Sequence, residues 1–289
     1  MKKKWGLLTI CLMMSAVLLA ACGQKQGSEN AGASSNTSAS NTSTPASESP
    51  STEPSTSKTL VVGLSADYPP YEFHMKSADG QDQIVGFDVD IANEIAKDMN
   101  AKLELKDMQF SSLLNELASG RVDLVLSALS PTKERAEQVD LSKVYYKAQQ
   151  AVVVPAGDKD KYATMDSLKG KSIGVQTGSI QEEIAKGIQG AKLTSLAKTS
   201  DVIMQLKSGR IDAAIIEGPV AESYVKNVPG LAITDAKPVT QDDGYVIGVK
   251  KGNTEVLNEV NATLDRLASS NMVDQFVQHA NELADQQAK

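Results

Sequence analysis

A few side chains in this sequence could do chemistry, and each lies at the end of an apolar run. Arg135 closes Lys133-Glu134-Arg135, a few residues after Ser130. A guanidinium there can grip a carboxylate through two parallel N–H bonds, or it is a solvent-exposed arginine. Thr177-Gly178-Ser179-Ile180 follows another apolar run and opens a helical pattern. Its backbone N–H groups and the positive dipole end suit an anion, and capping by Ser179 is compatible with that role. Glu217 ends the run Ala213-Ala214-Ile215-Ile216, where an open parallel sheet presents groups to its crevice. The alternative there is a solvated strand end. Catalysis would need a positioned acid–base pair. The two histidines, His74 beside a polar loop and His279 in a C-terminal helical pattern, lie in no metal or nucleophile motif and are expected at the surface.

The N-terminus carries a different chemistry. Lys2, Lys3 and Lys4 precede an apolar run over residues 7–21, too short for a comfortable transmembrane span and suited to a secretory signal. It ends in Leu19-Ala20-Ala21-Cys22, the pattern of a bacterial lipobox. This resemblance implies that the Cys22 sulfur is diacylated, palmitate being the expected type of chain, and that Cys22 becomes the first mature residue; the alternatives are an ordinary signal peptide with a chance cysteine and an uncleaved anchor helix. Residues 23–58 hold no aliphatic side chain larger than Ala and no aromatic. Such a segment cannot bury enough apolar surface to offset its ordering entropy, so a disordered Ser/Thr/Pro/Asn-rich linker is expected. As a coil it spans roughly 35 Å. Cys11 leaves with the signal and Cys22 carries lipid, so no disulfide or thiolate metal site is expected. The formal charge is −7, and loss of the three lysines makes the mature form −10. A surface this acidic argues against nucleic acid or anionic lipid as partner.

From Thr59 onward, short apolar runs alternate with helical patterns. Residues 60–64 read as a buried strand, and Phe87, Ile91, Ile95 and Met99 form one helical face. Strands are expected over 103–105, 122–126, 172–175, 192–196, 211–216 and 245–249, and helices over 110–118, 179–188, 200–207, 254–269 and 271–285. This alternation predicts parallel sheets covered by helices on both faces. Leu117-Ala118-Ser119-Gly120-Arg121-Val122-Asp123 is echoed by Leu206-Lys207-Ser208-Gly209-Arg210-Ile211-Asp212, each Gly ending a helix before a buried strand. Two similar α/β lobes are expected, the second inserted into the first. The two chain crossings, over 146–153 and 239–246, make a two-strand hinge with a ligand cleft between the lobes.

Four segments carry a resemblance. They are residues 65–73 (Ser65-Ala66-Asp67-Tyr68-Pro69-Pro70-Tyr71-Glu72-Phe73), 85–91 (Val85-Gly86-Phe87-Asp88-Val89-Asp90-Ile91), 127–135 (Ser127 through Arg135) and 176–179 (Gln176-Thr177-Gly178-Ser179). In this order, behind a lipobox and linker, the chain resembles the polar amino-acid-binding branch of the periplasmic binding proteins, the family 3 solute-binding proteins. The likeness extends over residues 60–283. It implies the type 2 fold, two mixed α/β lobes joined by a two-strand hinge, with lobe 1 over 59–147 plus 241–289 and lobe 2 over 148–240. Residues 1–21 would be the lipoprotein signal and 22–58 the linker.

The resemblance also implies roles. The arginine after the strand-end serine, here Arg135, would hold the α-carboxylate, with Thr177, Ser179 and Ile180 facing it from the other lobe. The acid at Glu217 would bind the α-ammonium, where many members have Asp, with the Ser130 hydroxyl and the Ala128 carbonyl completing the shell. Tyr68 and Phe110 would sandwich the ligand side chain, while Tyr71 and Phe73 are expected as core or cleft wall. Ser65 stands where several binders of basic amino acids have aspartate, and Asp67 or Glu72 could supply negative charge instead, so the ligand's side chain stays open. The implied function is the binding component of an ABC importer for a free polar amino acid, without cofactor or metal. It would be a monomer handing its ligand to the permease's transmembrane subunits, tethered to the outer face of the cytoplasmic membrane through its lipid only. The alternatives are a same-fold exported enzyme of the dehydratase type, or a ligand-sensing module working through a separate membrane partner.

Overall fold

The computed structural model describes residues 58–240 and 244–286. The expected signal over 1–21, the lipidated Cys22 and, apart from Lys58, the linker lie outside the described residues. The elements follow the order β1 Thr59–Leu64, β2 Asp67–Tyr68, β3 Glu72–Lys76, β4 Asp82–Val85, α1 Phe87–Asp98, β5 Lys102–Asp107, α2 Leu113–Ala118, β6 Leu124–Leu129, α3 Lys133–Gln138 and β7 Asp140–Leu141. They continue with β8 Gln150–Pro155, β9 Ser172–Gln176, α4 Ile180–Lys186, β10 Lys192–Leu196, α5 Thr199–Lys207, β11 Ala213–Glu217, α6 Gly218–Asn227, β12 Leu231–Ile233, β13 Val246–Val249, α7 Thr254–Ser269 and α8 Met272–Gln286.

These strands build two five-stranded sheets, β5-β1-β6-β13-β7 and β10-β9-β11-β8-β12, and a small meander β2-β3-β4. The alternation pattern predicted parallel sheets, and this is corrected: both are mixed. In each, three strands are parallel, and the strand that enters from the other sheet pairs antiparallel, β13 on β6 and β8 on β11. The physical reason is that only a parallel neighbour needs a covering crossover helix. A strand arriving from elsewhere carries no such constraint. Between the sheets the chain passes twice, and Tyr146 and Tyr245 pair there as an antiparallel bridge. Tyr145 N donates to Tyr245 O at 2.9 Å, and Tyr245 N donates to Tyr146 O at 2.8 Å.

The sequence echo has a structural counterpart. Gly120 and Gly209 take φ of +74° and +71°, the left-handed conformation that ends a helix without Cβ strain. In each copy the residue after the glycine donates back five residues, Arg121 N to Glu116 O and Arg210 N to Gln205 O. The echoed aspartates also match: Asp123 Oδ2 accepts Val61 N and Asp212 Oδ2 accepts Ser172 N, both at 2.8 Å. Each therefore ties the start of its own strand to the neighbouring parallel one.

The apolar face read from α1 is buried, with Phe87, Ile91 and Ile95 all at 0 % exposure against β1 and β6 residues such as Val62 and Leu124. Each such side chain contributes about 1.5–3 kcal/mol. A separate core under the second sheet gathers Val152, Val154, Ile173, Val175 and Ile215. Helices α7 and α8 return to cover α1, where Arg266 of α7 pairs with Glu94 at 2.8 Å and Asp98 at 2.7 Å. Helix α8 does more than the expected completion of lobe 1. It also reaches α6, pairing Asp285 with Lys226 and taking the Asn227 amide on the Ala284 carbonyl at 3.2 Å.

Candidate functional site

Between the two sheets lies a narrow recess of about 10 Å³, room for little more than one water molecule. Its first-sheet wall is Ser65, Tyr68, Glu72, Phe110, Ala128, Ser130 and Arg135, together with Ser127. Its second-sheet wall is Gln176, Ser179, Ile180 and Gln181.

Arg135 sits in the first turn of α3, whose N-cap Thr132 accepts the Arg135 N–H. The solvent-exposed alternative is excluded, because only 8 % of the residue is accessible. Its Nη1 donates to the Ser130 carbonyl at 2.9 Å and its Nη2 to the Gly178 carbonyl at 3.0 Å, joining the two walls. The guanidinium carbon lies 5.4 Å from the Phe110 ring centre. Ala128 holds φ of +43°, a strained value for a residue with a Cβ. Its N–H is fixed by Asp88 Oδ2 at 3.1 Å.

On the opposite wall, Ser179 caps α4 by accepting the Glu182 N–H at 3.2 Å, and its hydroxyl donates to Gln176 O at 2.7 Å. Two glutamines that the sequence reading gave no role reach across. Gln181 Nε2 donates to the Tyr68 hydroxyl at 3.3 Å and to Gln150 Oε1 at 2.7 Å. Gln176 Nε2 lies 3.5 Å from Ser65 Oγ and 3.3 Å from the Ala197 carbonyl. No pattern in the sequence distinguishes Gln181 from a surface glutamine on a short helix.

Three candidate residues stand outside the recess. Thr177 donates its N–H to Leu196 O at 2.8 Å in the turn after β9. Asp67 accepts the Ser200 N–H at 3.0 Å, and so caps α5, whose own N-cap, Lys198, supplies no side-chain bond. Burial raises the Asp67 pKa. Glu217 is fully buried, accepts the Tyr71 hydroxyl at 2.9 Å and caps α6 through the Val220 N–H at 3.1 Å. Its solvated-strand-end alternative is therefore excluded. Burial pushes its pKa up to about 8.

Glu72 enters the recess from β3, flanked by the buried rings of Tyr71 and Phe73. A charged residue between two core aromatics was the one signal of this in the sequence. Its Oε1 accepts the Ser127 hydroxyl, and that hydroxyl oxygen accepts the Ser65 N–H at 3.1 Å. Its Oε2 is buried with no hydrogen-bond partner among the described residues. Next to Glu72 in β3, the Tyr71 ring packs on Phe87 at 4.3 Å and on Tyr245 of the crossing segment at 5.4 Å.

The recess wall thus carries a fixed guanidinium, a buried carboxyl and two aromatic rings. The model of the bacterial extracellular solute-binding proteins, family 3, matches residues 60–280. The chain belongs to that family. The arginine-binding extracellular protein ArtP of Bacillus subtilis is 37 % identical to it over 281 residues, covering 95 % of this chain and 96 % of ArtP. Among solved structures, the amino acid ABC transporter substrate-binding protein AbpA of Streptococcus pneumoniae, bound to L-arginine, has a TM-score of 0.76 and 39 % identity. It is matched over 78 % of this chain and 95 % of its own. An ancestral arginine-binding protein bound to glutamine has a TM-score of 0.68 and 37 % identity, over 76 % of this chain and 96 % of its own. As a family 3 solute-binding protein, the chain has the type 2 periplasmic-binding-protein fold.

Proposed function

We propose that this solute-binding protein captures a cationic amino acid of the arginine class and delivers it to the membrane subunits of an ABC importer. The observation that carries the choice of ligand is Glu72, a wholly buried carboxyl on the recess wall with one oxygen lacking a partner. Burying a charge without a partner costs several kcal/mol, so the recess favours a ligand that supplies the missing donors. A guanidinium does so with a planar fork. Arg135 takes the α-carboxylate, and Tyr68 and Phe110 flank the aliphatic stem. Arginine as the ligand of ArtP and AbpA supports this reading.

The lobes are 59–147 plus 241–289 and 148–240, and they close on the free amino acid about the Tyr146–Tyr245 crossing. The protein binds without converting its ligand, as a monomer and without cofactor. Glu217 takes the α-ammonium, for which it must leave its bonds with the Tyr71 hydroxyl and the Val220 N–H. It turns from its α6 cap toward the ligand as the lobes close.

The test is calorimetric titration of the full-length protein with arginine and with citrulline, which has the same shape without the charge. Arginine is expected to bind at least tenfold more tightly, and at 100 times its Kd to add about 2.7 kcal/mol of stability. Glu72→Gln should erase the preference while leaving citrulline nearly unaffected. Equal affinity of the unmodified protein for both ligands would remove the cationic reading and leave a binder of neutral amino acids.

We also propose the lipid anchor at Cys22, which places the domain outside the cytoplasmic membrane. Cells carrying Cys22→Ser should shed the protein or retain it unprocessed, and should incorporate no labelled palmitate into it. Palmitate still attached to that variant would rule the anchor out.

A further inference from the structure

The carboxyl of Glu72 does not stand by itself. Asp88, in the first turn of α1, is also 0 % exposed, and the two carboxyls lie within hydrogen-bonding reach of each other. Three of their oxygen contacts are accounted for. Ser127 donates to Glu72 Oε1, and Ala128 N at 3.1 Å and Tyr145 Oη at 3.0 Å donate to Asp88 Oδ2. The remaining two oxygens, Glu72 Oε2 and Asp88 Oδ1, are both buried and both without a partner among the described residues. Each is an acceptor if both groups are ionised, so neither can satisfy the other. One proton between them would satisfy both in a single hydrogen bond.

The proposal rests on the reading of this recess as the site of a cationic amino acid. We propose that Glu72 and Asp88 share one proton in the empty recess, and that the cationic side chain of the ligand takes that proton's place and sends it to solvent. The balance is simple. The pair goes from a charge of −1 to −2, the ligand brings +1, and the recess keeps the same net charge.

The surroundings agree. Desolvation raises both carboxyls, and the charge of Asp88 raises Glu72 further. Asp67 on β2 adds negative charge toward Glu72, and Glu217 at the end of β11 also feels Asp88. The hydroxyl groups facing the pair are Ser127 on β6 and Tyr145 on the crossing segment. Arg135 is the basic side chain of the recess wall, and its guanidinium donates to the carbonyls of Ser130 and Gly178. Among the described residues, no second basic side chain lines this wall.

Linkage fixes the sign. If binding releases a proton, affinity for the cation rises with pH, by up to about tenfold per unit for one proton, and levels off once the pair is ionised. A neutral ligand of the same shape leaves the proton in place and shows no such rise. This gives one recess two modes. The protonated pair accepts a neutral side chain, and the ionised pair accepts a cation.

The experiment is titration calorimetry of the full-length protein at pH 7 in phosphate and in Tris, whose ionisation heats differ. Arginine binding should show heats that diverge between the buffers, corresponding to release approaching one proton per ligand. Citrulline should show none, and because it shares arginine's α-groups, their own ionisation cancels in the comparison. Asp88→Asn keeps an oxygen for Ala128 N and Tyr145 Oη and offers an amide to Glu72 Oε2. Its arginine-linked proton release should fall toward zero and its affinity should lose the pH slope. If that variant does not fold, the contrast between arginine and citrulline in the unmodified protein still decides. Buffer-independent heats for arginine would overturn the proposal, as would equal release with citrulline or undiminished release from Asp88→Asn. Each of these leaves arginine binding intact. Failure of arginine to bind at all would instead remove the cationic reading, and the proton exchange with it.

Discussion

Arg135→Ala is expected to weaken amino-acid binding by about 30-fold to several thousand-fold. The basis is the geometry of the guanidinium, which is buried and held by the Ser130 and Gly178 carbonyls, one on each wall. The Ser130 bond, within one lobe, orients the fork before any ligand arrives, and the Gly178 bond forms as the lobes come together. A carboxylate entering the recess therefore meets a donor whose rotamer entropy is already lost. Without the guanidinium, the carboxylate would be desolvated with no counter-charge, which costs on the order of 2–5 kcal/mol. Arg135→Lys should recover only part of the loss, because one ammonium cannot span two oxygens. The same truncation frees two buried carbonyls, so the thermal midpoint of the empty protein should fall modestly. A folded Arg135→Ala protein with unchanged affinity would show that the carboxylate is held elsewhere, and calorimetry beside a circular-dichroism melt separates the two effects.

The largest effect on stability is expected at Gly86. This residue precedes α1 with φ of +130° and ψ of 168°, a region that side chains with a Cβ rarely adopt. A Cβ placed there would sit 2.1 Å from the Tyr71 carbonyl oxygen and 2.9 Å from that of Pro70. Those carbonyls cannot retreat freely. They accept the first N–H groups of α1, Phe87 N to Pro70 O at 3.1 Å and Asp88 N to Tyr71 O at 3.0 Å. Gly86→Ala must either break these caps or push the β2–β3 turn off the helix, displacing Tyr71 and Glu72 with it. We expect a loss of at least ~3 kcal/mol, or roughly 10 °C in thermal midpoint for a domain of this size. Gly157→Ala is the control, since nothing lies within 4 Å of a Cβ there. A Gly86→Ala midpoint as little changed as that of Gly157→Ala would mean that the contact relaxes at no cost.

What could be read from the sequence was what local periodicity encodes. The face of Phe87, Ile91 and Ile95 announced α1, the strand over 192–196 and the helix over 254–269 were legible to the residue, and the Gly120 and Gly209 echo announced two copies of one unit. These features depend on side-chain spacing of 3.6 or 2 and on glycine's access to positive φ, and both are properties of neighbours in the chain. The residues 122–126, by contrast, foretold β6 two residues early at its start and three at its end, since apolar character does not mark where pairing begins.

Long-range packing decided the rest. Asp67, Thr177 and Glu217 have the residue types of ligand-binding groups, yet in this structure Asp67 and Glu217 cap helices and Thr177 holds a turn. No local pattern separates an acid that caps a helix from one that meets a ligand, because both sit at strand ends beside free N–H groups. The mixed direction of the sheets likewise depends on where the chain crosses, not on what any strand contains. The pairing of Glu72 with Asp88 exists only because the turn before β3 is pressed onto the start of α1 at Gly86. Two carboxyls 16 positions apart become neighbours out of water, and it is that removal from solvent, not their sequence, that changes their chemistry.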